Sequence, residues 1–159
     1  MRITVVCAGK LKEKYLSQGI AEFQKRLTPF CSFEIREIHE EKMPAEPSAV
    51  EKKQVLTREG ERLLRQVPQG SYLIVLDVFG RELSSEELSA RLDALALQGK
   101  SSIAFLIGGA FGLSEEVRAA ADCRLSFSRL TFTHQMVRLL LIEQIYRAFK
   151  ISRGEKYHW

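Results

Sequence analysis

The chain is poor in sulfur and has no long apolar stretch. Its three cysteines, Cys7, Cys31 and Cys123, are odd in number and far apart. That spacing excludes both a disulfide framework and a cysteine metal site, and idle thiols in a reducing compartment are expected. His39, His134 and His158 make no metal-ligand pattern either, so no metal is expected. No apolar run is long enough to span a membrane. Residues 1–9 resemble a short signal peptide, but they run straight into the charged residues 10–14. They are therefore read as a first strand, and the chain as cytoplasmic. Repeats, linkers and low-complexity segments are also lacking, and residues 1–159 are expected to form a single domain.

What is present suffices for a packed core: 45% of residues are apolar and 28% charged. The net charge of +4 is unevenly spread. From Cys123 onward there are seven Lys or Arg and two Glu, net +5, against net −1 for residues 1–122. Clustered cations are what counterion release rewards, so the basic end points to a polyanionic partner.

Periodicity predicts strands alternating with helices. The β-branched run over 2–8 reads as a buried strand. Leu11, Tyr15, Leu16, Ile20, Phe23 and Leu27 are at helical spacing, and Phe33, Ile35 and Ile38 mark a second strand. A charged helix over 48–66 carries a narrow stripe of Val55, Leu56, Leu63 and Leu64. The continuous apolar runs over 72–78 and 103–107 suit parallel strands covered on both faces. Ser84 followed by Glu86 and Glu87 opens one helix, and Ser114 with Glu115 and Glu116 another. A strand over 123–128 and a helix over 134–150 complete an α/β sheet layered by helices.

Candidate chemistry gathers at strand ends, where open α/β sheets bind ligands. Gly108, Gly109 and Gly112 follow the fourth strand and precede a helix. Such a turn either lets backbone amides approach a ligand or simply reverses the chain. Its pattern and its place differ from a dinucleotide fingerprint, which follows a first strand. Leu76 and Asp77 end the third strand. The segment Ser126, Phe127, Ser128, Arg129, Leu130, Thr131, Phe132, Thr133 mixes hydroxyls, an arginine and aromatics ahead of the last helix. It reads as core and cap, or as a loop able to enclose an adenine-sized group. On the last helix Glu143 and Arg147 are placed to pair at i,i+4. Apolar residues occupy every direction of that helix, which suggests burial partly against a second copy. A wholly internal helix would leave Arg138 or Arg147 buried without a partner. The basic, aromatic end, Lys156 to Trp159, is either frayed or a base-stacking tail with a titratable His158.

Together these motifs resemble the small SPOUT (α/β trefoil-knot) methyltransferases, in particular the bacterial family that methylates N3 of a pseudouridine in 23S ribosomal RNA. The resemblance covers the whole chain: the opening from Ile3 to Tyr15, the Leu106-Ile107-Gly108-Gly109 turn, Leu125 to Ser128 with Thr131, Phe132, His134 and Gln135, and the run from Leu141 to Ile151 with Tyr157 and His158. It implies a C-terminal deep trefoil knot and S-adenosylmethionine as methyl donor. By position Leu76, Gly108, Phe127, Ser128, Arg129, Leu130, Thr131 and Phe132 would line that site. It further implies a homodimer whose partner tail completes the pocket, acting on the assembled ribosome or large subunit. His158 would then be a base or hydrogen-bond partner and Tyr157 a positioning group, with Arg129, Arg138 or Arg147 steadying negative charge. Two departures stand out. Thr133 replaces the usual proline before the helix, and Ala110-Phe111 follows Gly-Gly where a small or polar residue is common. Thr133 is expected to cap the helix, and Phe111 to reshape the pocket rim. A non-catalytic RNA- or ribosome-binding module that kept the knot is the alternative, and a redox or nucleotide-binding enzyme a third.

Overall fold

The structure, a computed structural model, describes residues 1–157. Five parallel strands form one sheet: β1 (Arg2–Ala8), β2 (Ser32–Ile38), β3 (Tyr72–Glu82), β4 (Ser102–Ile107) and β5 (Cys123–Ser126). Their order is β2-β1-β4-β3-β5. Four helices connect them, α1 (Lys14–Leu27), α2 (Ala49–Gln66), α3 (Ser85–Leu97) and α4 (Glu115–Ala120), and α5 (His134–Ser152) follows β5. The expected strand–helix alternation is the one observed.

Period-two alternation divides the strands between two cores. Ile3, Val5 and Cys7 of β1 join Phe105 and Ile107 of β4 under α1, α3 and α5. Val6 and Ala8 join Leu73, Val75, Ala104 and Leu106 under α2 and α4. Helices α2 to α5 begin where the sequence placed them because their first amides find acceptors. Ser48 with Glu51, and Ser84 with Glu87, form reciprocal capping boxes. Ser114 caps α4 and Thr133 caps α5, accepting from the Met136 amide at 3.2 Å.

Three boundaries differ from expectation. The first helix starts at Lys14, not at 11, because residues 10–13 form a loop fixed by Gln135, whose Oε1 accepts from the Lys12 amide at 3.0 Å. β5 ends at Ser126 because local side-chain bonds compete with the ladder. The Ser126 hydroxyl donates to the Ser128 carbonyl, and the Leu130 amide to the Ser128 hydroxyl. β3 continues to Glu82, past an excursion between Leu76 and Arg81, both of which pair with Leu125. Gly80 permits this, since a Cβ there would lie 2.7 Å from the Arg124 backbone.

The last helix corrects an argument from the sequence. Arg138 is 1% exposed, yet it is not stranded. The same chain supplies Glu37 and two backbone carbonyls to its guanidinium. Burial of this arginine therefore gives no argument for a second copy.

Candidate functional site

The tips of β3, β4 and β5 open into one cleft of about 900 Å³, within the range of small-molecule sites. The chain leaves β1 toward β2 on one side and leaves β4 toward β5 on the other. Loops that diverge in this way part around a crevice at the carboxyl ends of the strands. Leu76, Ile107, Leu125 and Val137 give it apolar walls. Gly108, Gly109 and Gly112 bring backbone to its edge, and Ser126, Ser128 and Thr131 add hydroxyls.

The glycine turn is sterically obligatory. A Cβ on Gly108 would lie 2.7 Å from Leu113 Cδ2 and 2.8 Å from the Gly112 carbonyl. Gly112 has φ +95°, a conformation that L side chains rarely adopt. Asp77 holds the neighbouring wall. Its carboxylate accepts from Arg118 Nε at 3.0 Å and from the Phe79 amide at 3.2 Å, which fixes the start of the β3 excursion.

Of the residues singled out from the sequence, Leu76, Gly108, Phe127, Ser128, Leu130, Thr131 and Phe132 all line the cleft. Arg129 does not; it is exposed, between two lining neighbours. Phe111 is 52% exposed and is absent from the lining, so it does not shape the rim. Arg138 lies inside the fold, with Nη1 2.7 Å from Glu37 Oε1 and Nη2 2.6 Å from both the Ala8 and Gly9 carbonyls. Arg138 is not among the residues that line the cleft, and its Nε is buried without a hydrogen-bond partner.

Tyr157, beyond the end of α5, forms a separate cluster with Arg147 and Glu143 of that helix. The Tyr157 hydroxyl donates to Glu143 at 3.0 Å, and Arg147 pairs with the same carboxylate, as the i,i+4 spacing predicts. The Arg147 guanidinium also stacks 4.8 Å from the Tyr157 ring centroid. Desolvation, with the Glu143 carboxylate adding to it, raises the Tyr157 pKa above its ordinary value. None of these three side chains lines the cleft. His158 lies outside the described residues.

Other contributors escaped the sequence reading. Glu13 and Tyr15, at the start of α1, line the cleft; the end of β1 is itself a strand tip and was the available signal. His134 and Gln135 line it too. His134 Nε2 sits 3.0 Å from Glu40 Oε1. Burial lowers the His134 pKa, Glu40 opposes that shift, and Arg138 and Lys12 reinforce it. The buried Glu59 accepts from the Gly109 amide at 3.2 Å. Its signal was an acid at the middle of the Val55–Leu63 stripe, one turn from each.

Among the described residues, no group of three His, Cys, Asp or Glu side chains could hold a metal ion. No helix among them is long and apolar enough to cross a membrane.

Comparison with known proteins gives a consistent picture. Residues 1–158 match the family described as "Predicted SPOUT methyltransferase". The chain is 51% identical over 158 residues to the ribosomal RNA large subunit methyltransferase H of Clostridioides difficile (strain 630), covering 99% of each. It is equally similar, over the same shares, to the protein of that name from Halothermothrix orenii. Among solved structures it resembles a probable methylase family protein from Haemophilus influenzae Rd KW20, with a TM-score of 0.56 and 12% identity, over 99% of this chain and 70% of that one. That likeness speaks for the fold alone.

Proposed function

The chain belongs to the SPOUT methyltransferase family, and from that premise we propose that it methylates large-subunit ribosomal RNA, using S-adenosylmethionine as methyl donor. The finer reading is transfer to N3 of a pseudouridine in 23S RNA, on the assembled ribosome or large subunit, by a cytoplasmic homodimer. Residues 1–159 form one domain in this reading, and its C-terminal part follows the trefoil-knot path of the family.

The observation that carries the reading is the convergence of three strand tips, a glycine turn and the 126–133 loop on one cleft. Its residues suit the donor. Leu76, Phe127, Leu130 and Phe132 offer apolar surface to an adenine, while Gly108, Ser128 and Thr131 present amides and hydroxyls to its polar edges. When bound, the donor supplies a methyl group on a sulfonium, already activated for transfer. The protein therefore has to align two reactants and ease the loss of the imide proton from the uracil ring.

Tyr157 and Arg147 lie away from the cleft of their own subunit, so in this reading they act on the cleft of the second copy. Tyr157 stays neutral and can position the base by hydrogen bonding, His158 would serve as base or hydrogen-bond partner, and Arg147 would steady the charge that develops as the proton leaves. Arg138 has no such role, being held within the fold. The partly exposed stripe of α5 that contains Met136, Leu140, Glu143 and Arg147 is a surface suited to a two-fold contact.

Mass spectrometry of ribosomal RNA from cells with and without the protein tests the assignment. One methyl group on a large-subunit pseudouridine should disappear with the gene; retention of every methyl group defeats it. Titration of the purified protein with S-adenosylmethionine and with NADH separates the remaining readings. Binding of neither would favour a non-catalytic RNA-binding module.

A further inference from the structure

Glu59 lies on the α2 face that packs toward the sheet and is only 6% exposed. A carboxylate in such a place requires donors, and it has two. Oε1 accepts from the Gly109 amide and Oε2 from the Glu41 amide, each at 3.2 Å. One side chain thus ties two loops far apart in sequence: the glycine turn after β4 and the connection from β2 to α2.

Both loops reach the cleft. Gly109 lines it directly. Next to Glu41, Glu40 holds His134, a lining residue, at 3.0 Å. The fit around Glu59 is close on both sides. A Cβ on Gly109 would lie 2.8 Å from Glu59 Oε1. The next residue, Gly60, leaves room for Ser114, the cap of α4, since a Cβ there would lie 2.5 Å from its hydroxyl. α2 therefore sits as near the turn as backbone allows, and the carboxylate takes up the remaining gap.

We infer that Glu59 is a positioning residue for methyl-donor binding, which sets the Gly108–Gly109 backbone and, through Glu41 and Glu40, the His134 wall. The inference rests on the cleft being the donor site. Burial raises the Glu59 pKa, with Glu40 adding to the rise, while the two amides and Arg62 oppose it. Few groups fill this place as well. A glutamine offers a single acceptor oxygen, and its NH2 would face one of the two N–H donors.

The test is isothermal titration of the full chain with S-adenosylmethionine, alongside thermal unfolding and hydrogen exchange at the Gly109 amide. In Glu59→Gln the donor dissociation constant should rise about 10-fold, a change worth about 1.4 kcal/mol. The Gly109 amide should lose exchange protection, and kcat at saturating donor should hold while KM for the donor rises. Gly109→Ala approaches the same bond from the other side, crowding the Glu59 carboxylate without changing the α2 sequence, and should weaken binding similarly. If Glu59→Gln does not fold, Gly109→Ala and the protection of Gly109 in the unmodified protein decide the matter. Unchanged donor affinity in a folded variant, whether or not it melts earlier, overturns the inference, as does a Gly109 amide that exchanges freely in the unmodified protein. Failure of the unmodified protein to bind S-adenosylmethionine at all is a different result; it sinks the donor-site reading and this inference with it.

Discussion

Arg138 and Glu37 are 101 positions apart in sequence and 2.7 Å apart in space. The arginine enters from α5, the glutamate from β2, and between them the second guanidinium nitrogen closes on the carbonyls that end β1. This contact fastens the final helix to β2, an edge strand of the sheet, and to the end of β1.

Replacing Arg138 by Met should therefore cost stability more than chemistry. Two buried carbonyls lose their donor and a carboxylate loses its counter-charge, a loss on the order of 3 kcal/mol. Urea denaturation should show the drop in midpoint, and an unchanged midpoint would contradict the structural role.

His134 gives a pH dependence of definite sign. Burial holds its folded pKa below the ordinary 6.5. As pH falls below that value the unfolded chain takes up the proton first, so stability present above pH 6.5 is lost toward acid. His134→Gln should flatten this acid limb in unfolding curves collected from pH 7.5 to 5. A His134 resonance that titrates above 6.5 would reverse the sign and refute the account.

Cys7 and Cys31 are both pushed up to about 11 by burial. The thiolate is the nucleophile, so Cys7, fully enclosed under α5, should resist iodoacetamide at pH 8 in the native protein and react after denaturation. Their raised values also make stability fall as pH climbs from 9 toward 11. Peptide mapping of alkylated protein checks the first point, and labelling of native Cys7 would show that the core opens.

Gly108 and Phe111 are three residues apart and should behave oppositely. Gly108→Ala drives a methyl group into Leu113 and the Gly112 carbonyl, so donor affinity should fall by about 10-fold or more. Phe111→Ser alters an exposed ring outside the lining and should leave affinity within about twofold, the range expected of surface changes. Titration calorimetry distinguishes the two, and a large effect of Phe111→Ser would place that ring in the site after all.

Deleting residues 157–159 should abolish turnover while sparing donor affinity, because Tyr157 does not line the cleft. The expected pattern is normal calorimetry with no methyl incorporation into ribosomes. Undiminished incorporation would remove the tail from the mechanism.

The order of elements was legible along the chain because capping and periodicity are local. Ser48, Ser84, Ser114 and Thr133 start their helices by bonding amides three residues on, and a window of four residues contains the whole cause. The cleft was half legible for the same reason: strand tips and glycines announce themselves, so Leu76, Gly108 and the 127–132 segment could be named in advance. Arg138 and Glu59 were not legible in this way. Each looks in sequence like an awkward charge on an apolar stripe; the partners of Arg138 lie 101 to 130 positions away, and those of Glu59 lie 18 and 50 positions away. What the sequence determined by itself is therefore the elements, their faces and the loops that reach the strand ends. Only the tertiary structure decided which buried charges are satisfied within one subunit, since a hydrogen bond depends on distances of a few ångströms that chain separation does not encode.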